Sequence, residues 1–245
     1  MIEKGNICYW CGNKSTTMEH VPPKCLFPEE KDTYKQFQKF FRVNLIKVPS
    51  CDEHNNKKSG DDEYLLACLA GILGNNSLAF FQNSTKIARA LKRNKNLIDA
   101  RSSHKIKLNG RIFPISKLTA NNFRLVSSFE SIARGLYYYS YSKIFKGKCT
   151  IYSSIFANTI ETEWNKFNEK AVMALSEERQ SWKTEIKGSN PDVFTYQFSL
   201  KDSFNTQTIA MTFYDNKVVF VILSAMTKEE IENYRIKYKK TLDSL

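Results

Sequence analysis

Two pairs of metal-type ligands lie near the start of the chain. Cys8 and Cys11 form a C-x2-C pair, and Cys51 and His54 form a similar pair 40 residues after Cys11. Three thiolates and one imidazole are a common ligand set for tetrahedral zinc. The spacing therefore predicts one structural zinc ion (Zn²⁺) on Cys8, Cys11, Cys51 and His54, with no open position for water.

A Glu-His pair lies between these two half-sites. Hydrolysis of a phosphodiester needs a group that takes a proton from water and a cation that stabilises charge on the phosphate. His20 beside the carboxylate of Glu19 supplies both kinds of group, and Asn55 adds an amide oxygen next to the last zinc ligand. The residue types indicate a hydrolytic site, and the alternative is that His20 is packed in a small core.

Residues 5–64 contain a series of motifs that resembles, in its order, the zinc-stapled form of the HNH (His-Asn-His) endonuclease family. The likeness consists of Cys-x2-Cys-Gly, Glu-His-Val-Pro-Pro-Lys, Asn44-Leu45-Ile46 and Cys-x2-His-Asn-Asn-Lys-Lys-Ser. It implies a ββα-metal fold, treble-clef-like, with His20 as general base and a catalytic Mg²⁺ or Mn²⁺ on Glu19 and Asn55. By the same resemblance Asn44 braces the loop and the base, and Lys58 contacts phosphate.

Two positions depart from the pattern of that family. Glu19 stands where the family more often has Asp or His, and it keeps a hard oxygen ligand with a longer reach. His54 stands where the fourth zinc ligand is usually Cys. His54 and Asn55 could therefore exchange roles between the two metals.

The charge of the chain is concentrated in one stretch. The net charge is +12, and Lys86 to Arg124 contains eleven Lys or Arg residues against one acid, Asp99. A dense basic stretch is expected on a surface that follows a phosphate backbone, although a solvated face without a ligand is the alternative. The residues predicted to bind nucleic acid are Lys58, Lys86, Arg89, Lys92, Arg93, Lys95, Lys105, Lys107 and Arg111.

The remaining pattern predicts an α+β protein in two parts. Residues 1–64 are the metal module, and residues 65–245 contain a basic helical segment and an α+β domain with an antiparallel sheet. Alternation around Asn109-Gly110 predicts a hairpin. Further predicted elements are helices at 64–73, 77–98, 123–141 and 161–185, strands at 149–156, 193–200 and 208–223, and a last helix capped by Thr227.

The first residues of the chain and the length of its apolar runs bear on where the protein is found. The first six residues do not form a secretory signal pattern, and the longest apolar run, Leu65 to Leu73, is about half the ~20 residues of a membrane helix. We expect a cytoplasmic protein with no membrane partner. Cys25, Cys68 and Cys149 are expected to be buried thiols rather than ligands.

These observations favour a metal-dependent endonuclease that hydrolyses DNA, with RNA as another substrate class. Restriction or anti-phage defence is a common setting for such modules, and a protein partner or ligand would then bind the C-terminal domain. One alternative is an inactive zinc-dependent nucleic-acid-binding protein. Another is a toxin-like RNase that uses the same site.

Overall fold

The fold comes from a computed structural model, which describes residues 6–56, 59–98, 101–108, 110–118, 120–156 and 162–226, together with positions 230, 233 and 236. Within these residues the chain has a mixed α+β fold with antiparallel sheets, as the sequence predicts. Lys58 and the Thr227 cap of the last predicted helix lie outside the described residues.

The N-terminal part is built on two short antiparallel strands. Strand β1 (Thr17–His20) is followed by helix α1 (Glu30–Phe37), and strand β2 (Lys47–Ser50) returns beside β1. A short helix, α2 (Asp52–Asn56), begins directly after β2. The order strand, strand, helix brings the Glu-His pair, the second ligand pair and Asn55 into one small unit.

The basic stretch is partly helical and partly a hairpin. Helices α3 (Ser59–Ala70) and α4 (Ser77–Gln82) precede it, and a π-helical segment (Asn83–Ile87) then leads into α5 (Ala88–Arg93). Strands β3 (Arg101–Leu108) and β4 (Arg111–Leu118) pair over their full length. The hairpin predicted from Asn109-Gly110 is therefore confirmed, and Gly110 adopts the positive φ of +80° that such a turn requires.

Helix α6 (Asn122–Tyr141) is the long helix against which the N-terminal unit packs. The side chain of Asn121 accepts a hydrogen bond from the backbone N–H of Arg124 and caps the helix, which ends at Ser142 in the left-handed region. One face of α6 is buried and carries Leu125, Phe129, Ile132 and Leu136. The predicted helix at 123–141 is confirmed almost residue for residue.

The C-terminal part is one antiparallel sheet with the strand order β5-β9-β8-β7-β6. Helix α7 (Glu163–Arg179) follows β5 in the chain and packs against it. The strands are β5 (Lys148–Ser153), β6 (Lys187–Asn190), β7 (Phe194–Phe198), β8 (Gln207–Phe213) and β9 (Lys217–Ser224). The strands predicted from apolar runs are present, and β6 is an additional edge strand.

One apolar cluster joins the N-terminal unit to the rest of the chain. It contains Tyr9, Leu26 and Phe129 together with residues of the C-terminal sheet. The backbone carbonyl of Leu26 also accepts hydrogen bonds from Gln82 Nε2 at 2.8 Å and from the hydroxyl of Tyr214 at 2.9 Å. The division of the chain at residue 64 stays a prediction, and the two parts share this core.

Across the part of the chain that the structure describes, no helix is both long and apolar enough to cross a membrane.

Candidate metal centre and hydrolytic site

The four predicted zinc ligands converge. The ligand atoms of Cys8, Cys11, Cys51 and His54 all lie within 4.8 Å of one another. Cys11 Sγ lies 3.8 Å from Cys51 Sγ, and Cys51 Sγ lies 3.1 Å from His54 Nδ1. Sulfur atoms on a tetrahedral zinc with bonds of about 2.3 Å are about 3.8 Å apart. The group can therefore hold a metal such as zinc, as the two half-sites predict.

Tight turns present these ligands. The backbone N–H of Gly12 donates to the carbonyl of Cys8 at 3.0 Å, and Gly12 takes a φ of +79°. On the other side, the backbone N–H groups of His54 and Asn55 both donate to the carbonyl of Cys51 at 3.0 Å. Each ligand pair is thus placed by a local backbone bond, and a metal ion would tie the start of the unit to its end.

The backbone around Cys8 favours a thiolate. Burial raises the pKa of this thiol, but hydrogen bonds with the backbone of Cys11, Cys51 and Trp10 lower it more, and the resulting pKa lies below the usual value. Metal ligation requires the deprotonated sulfur. Cys8 is therefore suited to bind a metal ion that prefers thiolate ligands, such as zinc.

A stack of side chains supports the fourth ligand. The Trp10 ring stacks on His54 with 5.5 Å between ring centroids and an interplanar angle of 24°. The guanidinium of Arg134, in α6, lies 4.9 Å from the centroid of the Trp10 ring. The position of Arg134 is fixed by Glu130 at 2.7 Å and by the carbonyl of Gly147 at 3.0 Å. Helix α6 thus orients the imidazole through Trp10.

Asn55 and Glu19 lie on one face of β1. The amide nitrogen of Asn55 donates to Thr17 Oγ1 at 2.8 Å. Successive side chains of a strand point to opposite faces, so Thr17 and Glu19 share a face. The nitrogen of the Asn55 amide is used in this bond, and its oxygen is the atom that a divalent cation would take.

The Glu19 carboxylate lies close to the Tyr9 hydroxyl. Burial raises the pKa of Tyr9 well above its usual value, and the negative charge of Glu19 raises it further. The Tyr9 hydroxyl is also hydrogen-bonded to Ser131 Oγ of α6 at 2.8 Å. Glu19 and His20 together line a cleft of about 10 Å³ beside Asp61 and Ser131. That volume is room for about one water molecule.

Cations surround His20. The imidazole is half-buried, and its pKa is lowered by burial first and then by the positive charges of Lys47, Lys24 and Arg42. Lys47 is the direct cross-strand partner of His20 in the β1–β2 pair. Lys24 and Lys47 are exposed, whereas Arg42 bonds to the carbonyl of Phe27 and to Glu29. This lowering favours the neutral imidazole, and the nearby ammonium groups of Lys24 and Lys47 form no ion pair with any described residue.

Asn44, to which the resemblance gives a bracing role, lies in the segment before β2. It is exposed and adopts the left-handed region with φ of 52°. The contact that ties this segment to the loop after His20 is a backbone hydrogen bond, from the N–H of Val21 to the carbonyl of Ile46 at 3.0 Å. A brace at this place is thus made by the main chain.

The predicted nucleic-acid ligands divide into two groups. Lys86 is half-buried, donates to the carbonyl of Cys25 at 2.9 Å, and has its pKa lowered by burial. Arg89 pairs with Asp32 at 2.7 Å and Arg93 pairs with Glu63 at 2.9 Å. The second group consists of Lys92, Lys95, Lys105 and Lys107, which form no ion pair with a described residue, whereas Arg89 and Arg93 are equally exposed but paired. Arg111 lies in β4, opposite Leu108.

Arg124, the last residue of the basic stretch, is also paired. Its Nε donates to Asp61 Oδ1 at 2.6 Å, and its guanidinium carbon lies 4.0 Å from the centroid of the Tyr64 ring. The acids that pair with Arg89, Arg93 and Arg124 all come from residues 1–64. Part of the charge predicted to face a phosphate backbone therefore binds the protein itself.

Sequence reasoning missed the cations beside His20. Lys24 belongs to the same Glu-His-Val-Pro-Pro-Lys segment as His20, so its proximity in sequence was a usable signal. Lys47 required knowledge of the strand register, and Arg134 required the packing of α6. No motif in a single sequence specifies either of these contacts.

Comparison of the chain with protein-family models, with curated proteins and with solved structures found no match.

Proposed function

We propose that the protein is a metal-dependent endonuclease that hydrolyses DNA phosphodiester bonds at His20. The observation that carries this proposal is the neutral, half-buried imidazole of His20 with the ammonium groups of Lys24 and Lys47 around it. A neutral imidazole can accept a proton from water, and cations bind the phosphate that water attacks.

The proposal includes the HNH interpretation of residues 5–64. Its support is the order of β1, β2 and α2, the four converging zinc ligands, and the position of Asn55 on the same face of β1 as Glu19. In this arrangement Cys8, Cys11, Cys51 and His54 hold zinc. The zinc has only a structural role because protein atoms fill its four positions.

The residues have separate roles in the reaction. Glu19 and Asn55 would hold Mg²⁺ or Mn²⁺, which would supply charge stabilisation at the scissile phosphate. His20 accepts the proton of the attacking water at an imidazole nitrogen. Lys24 and Lys47 bind non-bridging phosphate oxygens, and the Tyr9 hydroxyl keeps the Glu19 carboxylate in position from the buried side. The exposed lysines of β3 add phosphate contacts farther along the strand.

A plasmid-nicking assay with Mg²⁺ or Mn²⁺ tests the proposal. Loss of a general base typically costs about 10²–10⁴-fold in rate, so His20→Ala should reduce nicking by about that factor. His104→Ala is the matched control because His104 is exposed on the β3–β4 hairpin and has no role in the mechanism.

The possible results separate the functions. Equal nicking by wild type and His20→Ala would contradict the mechanism. Zinc-dependent binding of DNA without any nicking by the wild type would support the inactive binding protein. Cleavage of structured RNA but not of plasmid, in a parallel reaction and lost in His20→Ala, would support the toxin-like RNase.

A further inference from the structure

A second pocket lies next to the His20 cleft. It has a volume of about 310 Å³ and is enclosed by the segment before β2, the end of α6 and the edge strand β6. Small-molecule sites in proteins usually measure about 300–1,000 Å³. This pocket is therefore large enough for one nucleotide and too small for a duplex.

The pocket and the His20 cleft share a wall. Val21 follows His20 in the chain and lines both cavities. The close approach of α6 fixes this wall, because a Cβ at Gly135 would lie 2.6 Å from Val21 Cγ2. The two cavities therefore adjoin at Val21.

The lining has the chemistry of a base-binding site. Tyr139 contributes an aromatic ring that is 55% exposed, and Tyr196 contributes a second, buried ring. Asn44 contributes an exposed amide that makes no hydrogen bond to any described residue, and Lys187 contributes an exposed ammonium. Aromatic rings stack on bases, amides read base edges, and ammonium groups bind phosphate.

A peptide strand is a poorer occupant than a nucleotide. Strand β6 is the sheet edge at this pocket, but its register with β7 shifts between Lys187 and Asn190. The amide nitrogen of Asn190, in β6, also bonds to the carbonyl of Val43 at 3.0 Å, so the segment before β2 lies against this strand. An added peptide strand would need a continuous edge for its hydrogen bonds.

We infer that this pocket binds the base of the nucleotide that adjoins the scissile phosphate, taken from a single-stranded or locally unpaired substrate. The base stacks on Tyr139, the Asn44 amide meets its edge, and Lys187 binds the next phosphate. This inference rests on the proposed function, because it places the scissile phosphate at His20. The base contact then requires an unpaired nucleotide, whereas phosphate contacts are open to duplex and single strand alike.

Binding of a fluorescein-labelled single-stranded oligonucleotide, followed by anisotropy, tests the pocket. The parent is zinc-loaded, full-length His20→Ala protein, which prevents cleavage during the measurement. In this parent, Tyr139→Ala should weaken binding by about tenfold or more, as expected for loss of one stacked base. Phe167→Ala is the matched control because its ring, 58% exposed on α7, lies outside the pocket, and it should leave Kd unchanged.

A second variant guards against a folding defect in Tyr139→Ala. Lys187→Ala changes an exposed side chain in the same pocket, and it should also weaken binding while the thermal melt stays that of the parent. Equal Kd values for Tyr139→Ala, Lys187→Ala and Phe167→Ala would overturn the inference. Tyr139-dependent binding of a free mononucleotide, with oligonucleotide binding unchanged, would also overturn it.

Cleavage by the wild-type enzyme shows which base of the oligonucleotide occupies the pocket. A single abasic position is moved through a cleaved oligonucleotide, and cleavage should fall most when that position adjoins the cut. If cleavage depends on His20 but not on the abasic position, the pocket inference fails and the proposed function stands. If His20→Ala cleaves as fast as wild type, the proposed function fails instead.

Discussion

The cations beside His20 and the cations between Lys86 and Arg124 differ in what neutralises them. The stretch from Lys86 to Arg124 dominates the charge of the sequence, yet Arg89, Arg93 and Arg124 pair with acids of the N-terminal part. Lys24 and Lys47 are few, but they stay exposed beside an imidazole. Charge density along a sequence therefore predicts a binding surface less well than the pairing of each charge in the fold.

The largest effect is expected at Cys8, Cys11, Cys51 and His54, the group that could hold a metal near His20. Cys51→Ser should remove one ligand and lower the melting temperature strongly, because metal binding contributes folding free energy to such units. Nicking should be abolished with it. Cys149→Ser is the control, since Cys149 lies outside the ligand group, and thermal melts with a zinc assay check the result. Unchanged melting and zinc content in Cys51→Ser would refute the metal centre.

The second-largest effect is expected from Lys24 and Lys47, the two exposed lysines beside His20. The double variant Lys24→Ala/Lys47→Ala should slow cleavage by about 100-fold or more, because a hydrogen bond to a charged group contributes about 1.5–3 kcal/mol. Lys35→Ala, an exposed lysine of α1, serves as the control. Steady-state kinetics would separate kcat from KM, and unchanged kinetics would remove these lysines from the phosphate site.

Arg124 should matter for stability and not for binding. Its pairing with Asp61 and its contact with the Tyr64 ring predict that Arg124→Ala lowers the free energy of unfolding by about 1–2 kcal/mol. Urea denaturation measures this loss, and the salt dependence of DNA binding should remain that of the wild type. A smaller salt slope with unchanged stability would place Arg124 on DNA instead.

The smallest expected effect is on the salt dependence of DNA binding. It distinguishes the unpaired lysines between Lys86 and Arg124 from the paired arginines of the same stretch. Lys105→Ala/Lys107→Ala should reduce the slope of log K against log salt by about two for duplex DNA. Arg89→Ala/Arg93→Ala should leave that slope unchanged and cost less than about 1 kcal/mol of stability for each residue. If the arginine pair changes the slope as much as the lysine pair, then pairing with acids does not remove these side chains from binding.

Local patterns predicted the elements well. The hairpin at Asn109-Gly110, helix α6 and strands β5, β7, β8 and β9 follow from turn chemistry and apolar periodicity, which act within a few residues. The convergence of Cys8, Cys11, Cys51 and His54 was also predictable, because C-x2-C and C-x2-H each place two side chains on one turn. Helix α1 and edge strand β6 were not predicted, since neither has a strong apolar pattern.

The surroundings of the site could not be predicted in the same way. Ser131 reaches Tyr9 from 122 residues farther along the chain, and the Arg124–Asp61 pair spans 63 residues. These contacts depend on how α6 docks, which no local pattern encodes. The free charges beside His20 became visible only when the strand register and the ion pairs were known.

The small size of Gly135 has a consequence for any attempt to move residues 1–64 to another protein. Val21 packs against Gly135, and the Tyr9 hydroxyl is hydrogen-bonded to Ser131. The Trp10 ring contacts the guanidinium of Arg134. Helix α6 therefore supports both the candidate metal ligands and the loop after His20. A fragment that ends at residue 64 would lack this helix and present its apolar side to water. Moving residues 1–64 onto another protein would therefore require that α6 be included.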